Sequence, residues 1–316
     1  MAVQFAVLAS GSRGNATLIR SGTSGLLLDL GIGPRDLTQR LESVGAGWDA
    51  IQAALLTHTH GDHVSDSGLR RLAQQGIPLY IHEGHRGNLR RFGGYLELEC
   101  QGLIRTYDDS PFLAPGGMAI EPFELFHDGG PTFGFRVETR AVRRGRLVSI
   151  GYLADTGSWT NSMVDQVTDV DILGVEFNHD VELQQRSRRH PALIARNLGD
   201  RGHLSNLQGS EFVSAVLARS ARCTVKHVVL LHLSEQCNRP DLALESAKQA
   251  VRGTGRRVVV HAAQQAPAHP NLWIEARRSP ARPRPPGLDS RGIGTGQVVV
   301  KRRSPAGICN PWLFPD

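Results

Sequence analysis

Four side chains of metal-binding type fall within six residues in His58-Thr59-His60-Gly61-Asp62-His63. Imidazole nitrogens and carboxylate oxygens are the donors that zinc, manganese and iron accept. Alternation along an extended segment puts His58 and His60 on one side. Gly61 permits a tight backbone path that can carry Asp62 and His63 toward a second point. More donors stand where apolar runs end: His127 after Glu124-Leu125-Phe126, Asp155 after Tyr152-Leu153-Ala154, and His232 after Val228-Val229-Leu230-Leu231. Each alone is an ordinary polar residue at a strand end. Together they would complete a site for two metals, three histidines on one ion and a mixed set on the other.

Donors distant in the chain meet only if rigid elements deliver them, and strand ends are where scaffolds place chemistry. Apolar β-rich runs predict strands over 3–9, 16–21, 26–29, 53–57, 77–81, 118–126, 132–138, 147–154 and 225–231. Leu37, Leu41 and Val44 at helical spacing predict a helix over 35–44. Further helices are predicted over 67–75 and, started by Pro240, over 241–252. The runs 53–57 and 228–231 each lead straight into a histidine. Apolar strands with amphipathic helices between them predict an α/β protein with helix-covered sheets.

Composition bounds the rest. The 316 residues suffice for one large or two medium domains. No apolar run approaches the roughly 18 residues of a membrane span, so no membrane role is expected. The run 3–9 is short, carries Gln4 and has no basic residue before it, which argues against a secretory leader. The four cysteines (Cys100, Cys223, Cys237, Cys309) have no paired spacing. That argues against disulfides or a cysteine zinc site and for a reducing cytoplasm. The net charge of +6 is mostly local: from residue 264 onward there are eight Lys or Arg against three Asp or Glu. Nine of the 17 prolines also lie there, so residues 1–263 are expected to fold and 264–316 to form a disordered, Pro/Arg-rich tail with at most a short strand at 297–301.

The order His58-x-His60-x-Asp62-His63, His127, Asp155, His232 resembles the metallo-β-lactamase superfamily over about residues 3–263. The resemblance sharpens toward its YycJ/WalJ group in several segments. These are Leu8-Ala9-Ser10-Gly11-Ser12-Arg13-Gly14-Asn15, Leu27-Leu28-Asp29, Ala154-Asp155-Thr156-Gly157, Val175-Glu176-Phe177-Asn178-His179-Asp180 and Gly202-His203-Leu204-Ser205-Asn206. It implies a four-layer αββα sandwich with a dinuclear site at one edge. His58, His60 and His127 would hold one divalent ion, and Asp62, His63 and His232 the other, with Asp155 bridging. Zinc is the first choice, manganese or iron the alternatives. Asp29 would brace the metal loop.

The group's activity implies a nuclease of 5′-to-3′ exonuclease type, with nucleic acid as substrate. Two metals would share a water, lower its pKa and make hydroxide the nucleophile while clamping a phosphodiester oxygen. The catalytic set would be Asp62, His203 as general acid and Glu176 orienting it. Substrate contacts are expected from His179, from Ser12 and Asn15 in the Gly-rich turn, and from Arg186, Arg188 and Arg189, since Arg suits phosphate. Hydrolysis of a small cyclic phosphodiester is the alternative, because the same metals and acid would serve it. A non-catalytic scaffold is a more distant one, since every ligand position is filled. β-Lactam hydrolysis fits poorly: His63 and Asp155 stand where the commonest lactamases carry Arg and Cys.

Overall fold

The run Leu26-Leu27-Leu28 divides its side chains between two cores, because a strand points successive residues to opposite faces. Leu26 and Leu28 enter a core shared by two sheets, whereas Leu27 enters one roofed by helices. The structure, a computed structural model, describes residues 3–141, 146–220, 224–265 and 271–274.

The first half of the chain builds β1 (Val3–Ala9), β2 (Ala16–Ser21), β3 (Ser24–Leu28), α1 (Pro34–Ser43), β4 (Ile51–Leu55), α2 (Asp66–Gln75), β5 (Leu79–His82), α3 (Arg86–Leu89), α4 (Gly93–Cys100) and β6 (Ile104–Tyr107). The second half builds β7 (Phe112–Ala114), β8 (Met118–Glu124), β9 (Phe133–Ala141), β10 (Arg146–Leu153), α5 (Asn161–Gln166), β11 (Ile172–Glu176), α6 (Val181–Gln185), α7 (Pro191–Leu198), α8 (Asn206–Arg219), β12 (His227–Leu231), α9 (Pro240–Gly253) and β13 (Val259–Ala262). A last strand, β14 (Asn271–Ile274), returns to the first sheet.

Two seven-stranded sheets result, in the orders β14-β1-β2-β3-β4-β5-β6 and β13-β12-β11-β10-β9-β8-β7. Each has an antiparallel side and a parallel side, with β3 to β6 parallel in the first and β10 to β13 parallel in the second. Phe5, Ile19 and Leu55 from one sheet meet Phe135, Ile150 and Val229 from the other in the central core. Leu37, Leu41, Leu69 and Leu72 cover the outer face of the first sheet. Phe212, Val213, Ala243 and Ala247 cover the second. The architecture is the expected αββα sandwich. Helix ends follow local chemistry: Ser65 Oγ accepts from Gly68 N at the start of α2, and left-handed Gly76 ends it. Ser205 and Gln208 form a reciprocal capping box on α8.

Two expectations need adjustment. Ser10 N donates to Gln264 O, and β14 pairs antiparallel with β1, so the first sheet continues past residue 263. The Pro and Arg content averaged over 264–316 masked the short apolar stretch Asn271–Ile274. The rest of the expected tail, with its strand at 297–301, lies outside the described residues. Cys237 is a buried free thiol, but Cys100 is disulfide-bonded, unlike the expected unpaired cysteines. Among the described residues no helix is long and apolar enough to cross a membrane.

Candidate metal centre

Every donor sits at or past a strand's carboxyl end. His58 to His63 follow β4, His127 follows β8, Asp155 follows β10, Glu176 closes β11 and His232 follows β12. Asp29, Asp155 and His232 have φ of 62°, 60° and 55°, a left-handed conformation that non-glycine residues adopt at a cost. At each of the three positions the chain turns off its sheet abruptly, toward one shared point. Close backbone contact fixes the metal loop: Leu30 N donates to His63 O at 2.7 Å and Asn15 N to Asp62 O at 2.7 Å. At Gly31 a Cβ would lie 1.7 Å from Asp62 O, so only glycine fits.

Two donor groups form there, His58 with His60 and His127, and Asp62 with His63, Asp155 and His232, the ligand atoms of each lying within 4.8 Å of one another. Asp155 joins the groups: its Oδ2 is 3.4 Å from His58 Nε2 and 2.8 Å from His63 Nε2, while its Oδ1 is 2.8 Å from His232 Nδ1. Asp62 Oδ2 is 3.3 Å from His232 Nε2. Outer partners fix the rings. His63 Nδ1 meets Asp29 Oδ2 at 2.7 Å, and Asp29 also accepts from Thr57 N. His127 Nδ1 meets Gly202 O at 2.8 Å, leaving Nε2 facing His60. Buried His58 Nε2 has no hydrogen-bond partner among the described residues, which is the condition expected of an atom reserved for a cation. The residues therefore fit a pair of divalent metals.

The electrostatics agree. Burial drives His58 well below an imidazole's ordinary pKa, helped by His63. Burial pushes His63 and His232 the same way, yet Asp155 and neighbouring carboxylates outweigh it and raise both well above the ordinary value. Asp155 lies well below the carboxylate range, because His232 and His63 overcome its burial. Protons on His63 and His232 thus hold the places that cations would take.

Beside this cluster, His203 Nδ1 is 2.8 Å from Glu176 Oε1. Glu176 is buried and accepts from Thr156 N and Leu204 N through Oε2. It also lies 3.1 Å from His232 Nδ1, so the pair is tied to the metal ligands. Asp155, Glu176, His203 and His232 themselves form a third group of metal-binding type.

A family model for the beta-lactamase superfamily domain matches residues 26–233. The chain belongs to the metallo-β-lactamase superfamily. It is a metal-dependent hydrolase of that superfamily with a dinuclear site. Exodeoxyribonuclease WalJ of Streptococcus pneumoniae is 30% identical over 244 residues, covering 76% of this chain and 85% of that protein. Exodeoxyribonuclease YycJ of Bacillus anthracis is 26% identical over 266 residues, covering 83% and 95%. Among solved structures, the metallo-β-lactamase fold protein YhfI from Bacillus subtilis superposes with a TM-score of 0.61 at 18% identity, over 84% of this chain and 98% of that one.

In this metallo-β-lactamase-fold protein the expected substrate residues separate. Ser12 and Arg189 line a cleft of about 460 Å³ together with His60, Asp62, Asp155, His203 and His232. Asn15 does not: it is 1% exposed, and its amide bonds Gly11 O and Asp62 O and approaches His63 Nε2 at 2.9 Å. Both its side-chain amide and its backbone N–H are turned to the metal loop, donating to Asp62 O. His179 is also 1% exposed and absent from the cleft lining, and neither ring nitrogen has a hydrogen-bond partner among the described residues. Arg186 pairs with Glu182 in solvent, and Arg188 is exposed away from the lining.

Sequence reasoning missed Asp128, Arg196 and Asn178. Asn178 Nδ2 lies 3.1 Å from His232 Nδ1 and donates to His232 O. Asp128 pairs with Arg196, which lines the cleft from α7. The adjacency of Asp128 to His127 was the available signal.

Proposed function

We propose that the protein is a nuclease, a two-metal phosphodiester hydrolase that shortens DNA from an end in the 5′-to-3′ direction, with His203 as general acid. The His203–Glu176 pair on the wall of the metal cleft carries this reading. Cations held by His58, His60 and His127 and by Asp62, His63, Asp155 and His232, zinc being the first choice, would supply Lewis acidity at a phosphoryl oxygen and lower the pKa of water. The chain's own residues do the rest. Glu176 occupies Nδ1 of His203, so the ring's Nε2 is the atom left to protonate a departing oxygen. Its carboxyl stays ionised, since burial is outweighed mainly by His203, and compensates positive charge on that ring. Asp155, in reach of His58 as well as His63 and His232, holds the two donor groups beside one another, so a phosphodiester is met by a preorganised site.

Two observations favour a polymer. A second cleft of about 400 Å³, lined by His82, Glu124, His127, Asp128 and Arg201, neighbours the metal cleft, since its Asp128 is paired with Arg196 of the other. A cyclic mononucleotide would need only one of them. The names of the two relatives, both exodeoxyribonucleases, favour DNA and end-directed cleavage. Elemental analysis of the purified protein, followed by assays on end-labelled single- and double-stranded oligonucleotides, tests the reading. Metal-dependent stepwise release from the 5′ end is expected. Intact oligonucleotides alongside hydrolysis of a cyclic nucleotide would replace it with the small-molecule alternative.

A further inference from the structure

Arg196 stands on the wall of the metal cleft with its side chain 42% exposed. Its guanidinium is held from one side only. Nε and Nη2 both donate to the carboxylate of Asp128, the second at 2.7 Å. That carboxylate is fixed beside the first donor group, 3.6 Å from His127 Nε2 and 3.9 Å from His60 Nε2. Nη1 of Arg196 has no hydrogen-bond partner among the described residues. Arg189, on the same cleft, is anchored in the same manner, Nε to Gln236 Oε1 at 3.0 Å and Nη2 to Ser234 Oγ at 3.3 Å.

Charge explains why an arginine would be immobilised there. Asp128 offsets the guanidinium's charge, which lets an arginine stand on the rim of a site built for two divalent cations. A fork fixed in advance through two of its nitrogens loses little freedom when the third meets a phosphate. Arg186, on the open surface with a single loose pairing to Glu182 at 3.6 Å, lacks that advantage. We propose that Arg196, oriented by Asp128, clamps a non-bridging phosphate oxygen of the substrate in the metal cleft, Asp128 being the positioning residue. This rests on the phosphodiesterase reading above and adds the residue that recognises the substrate's charge.

The test uses the metal-loaded full chain with a labelled single-stranded oligonucleotide. Arg196→Ala is expected to keep its metals and its unfolding temperature while kcat/KM falls about 10–100-fold, the worth of a charge-assisted hydrogen bond. Arg196→Lys should recover only part, because an ammonium lacks the fork. Binding, measured in the slow His203→Ala background across a salt series, should show a slope on log salt reduced by about 0.7–1 when Arg196 is lost. Asp128→Asn should keep that slope, because the charge remains, yet lower kcat/KM. Unchanged slope and rate in Arg196→Ala would overturn the clamp, and loss of metal in Asp128→Asn would make that residue a ligand instead. A wild-type protein that binds oligonucleotide but cleaves no phosphodiester overturns the nuclease reading alone, since the salt slopes still test the clamp. One that does neither overturns both.

Discussion

Asp155 belongs to the second donor group and reaches the first through His58, and its two oxygens face different partners, His58 and His63 on one side and His232 on the other. Asp155→Ala should therefore lose both metals and not merely one, read as metal per chain by elemental analysis. A variant keeping two would show that the carboxylate does not bridge. His203 stands outside the two donor groups, its ring 5.0 Å from that of His127 and its Nδ1 turned to Glu176. His203→Ala should keep its metals and slow phosphodiester cleavage about 10²–10⁴-fold, the usual worth of a general acid. A steady rate would assign the proton to another group. At this scale the sequence was informative wherever chemistry restricts residue type. A histidine or aspartate at the end of an apolar run is ordinary when single. Four of them together with the His60, Asp62 and His63 of one short loop point to a metal site, and all seven residues meet. It was uninformative about orientation. Asn15 and Ser12 share one Gly-rich turn, yet Asn15 points into the metal loop and Ser12 into the cleft. No pattern of residue types records that difference.

Elements were legible in proportion to how uniformly apolar they are. β4 and β12 announced themselves as runs ending in histidine. β11 and α8 did not, although β11 carries Glu176 and α8 follows directly on the His203 turn. Buried Gly174 interrupts β11. The inner face of α8 uses Gly209 and Ser210, with Gly209 so close to Phe177 that a Cβ would lie 2.7 Å from its ring. Small residues that allow close approach carry no hydrophobic period. Just before β11, Asp171 ties strand starts together, accepting from Ser149 N on β10 through its side chain and from Lys226 N through its carbonyl. Burial raises its carboxyl to about 6, against opposition from the Ser149 hydrogen bond. A raised carboxyl favours the folded state while protonated. Stability is therefore complete near pH 3.8 and below, and falls as pH rises through about 6. Asp171→Asn keeps an acceptor for Ser149 N and removes the charge. Its unfolding free energy should exceed that of the parent by about 1–3 kcal/mol at pH 8, with the gain vanishing toward pH 4. An equal gain at both pH values would mean that the effect is packing and not ionisation.

The centre also acts on the molecule as a whole, because its donors come from both sheets. His58 to His63 extend from the first, and His127, Asp155 and His232 from the second, each at the margin of the core the sheets share. Metals bound there would fasten one sheet to the other, so their binding energy would be folding energy. Removing them with a chelator should lower the unfolding temperature by about 5–15 °C, taking 100- to 1,000-fold saturation. The pH dependence of that gap follows from the same side chains. Without metals, His63 and His232 hold protons with pKa values raised well above 6.5, so the stability they contribute is complete below 6.5 and is lost as pH climbs through their folded values. With metals, cations replace those protons and the loss does not occur. Melting curves with and without chelator should therefore diverge from pH 6.5 upward and converge in acid, where protons compete with the metals for His63 and His232. Parallel curves across that range would mean that the ligands fold into place independently of what they hold, and that the two sheets need no cation to stay together.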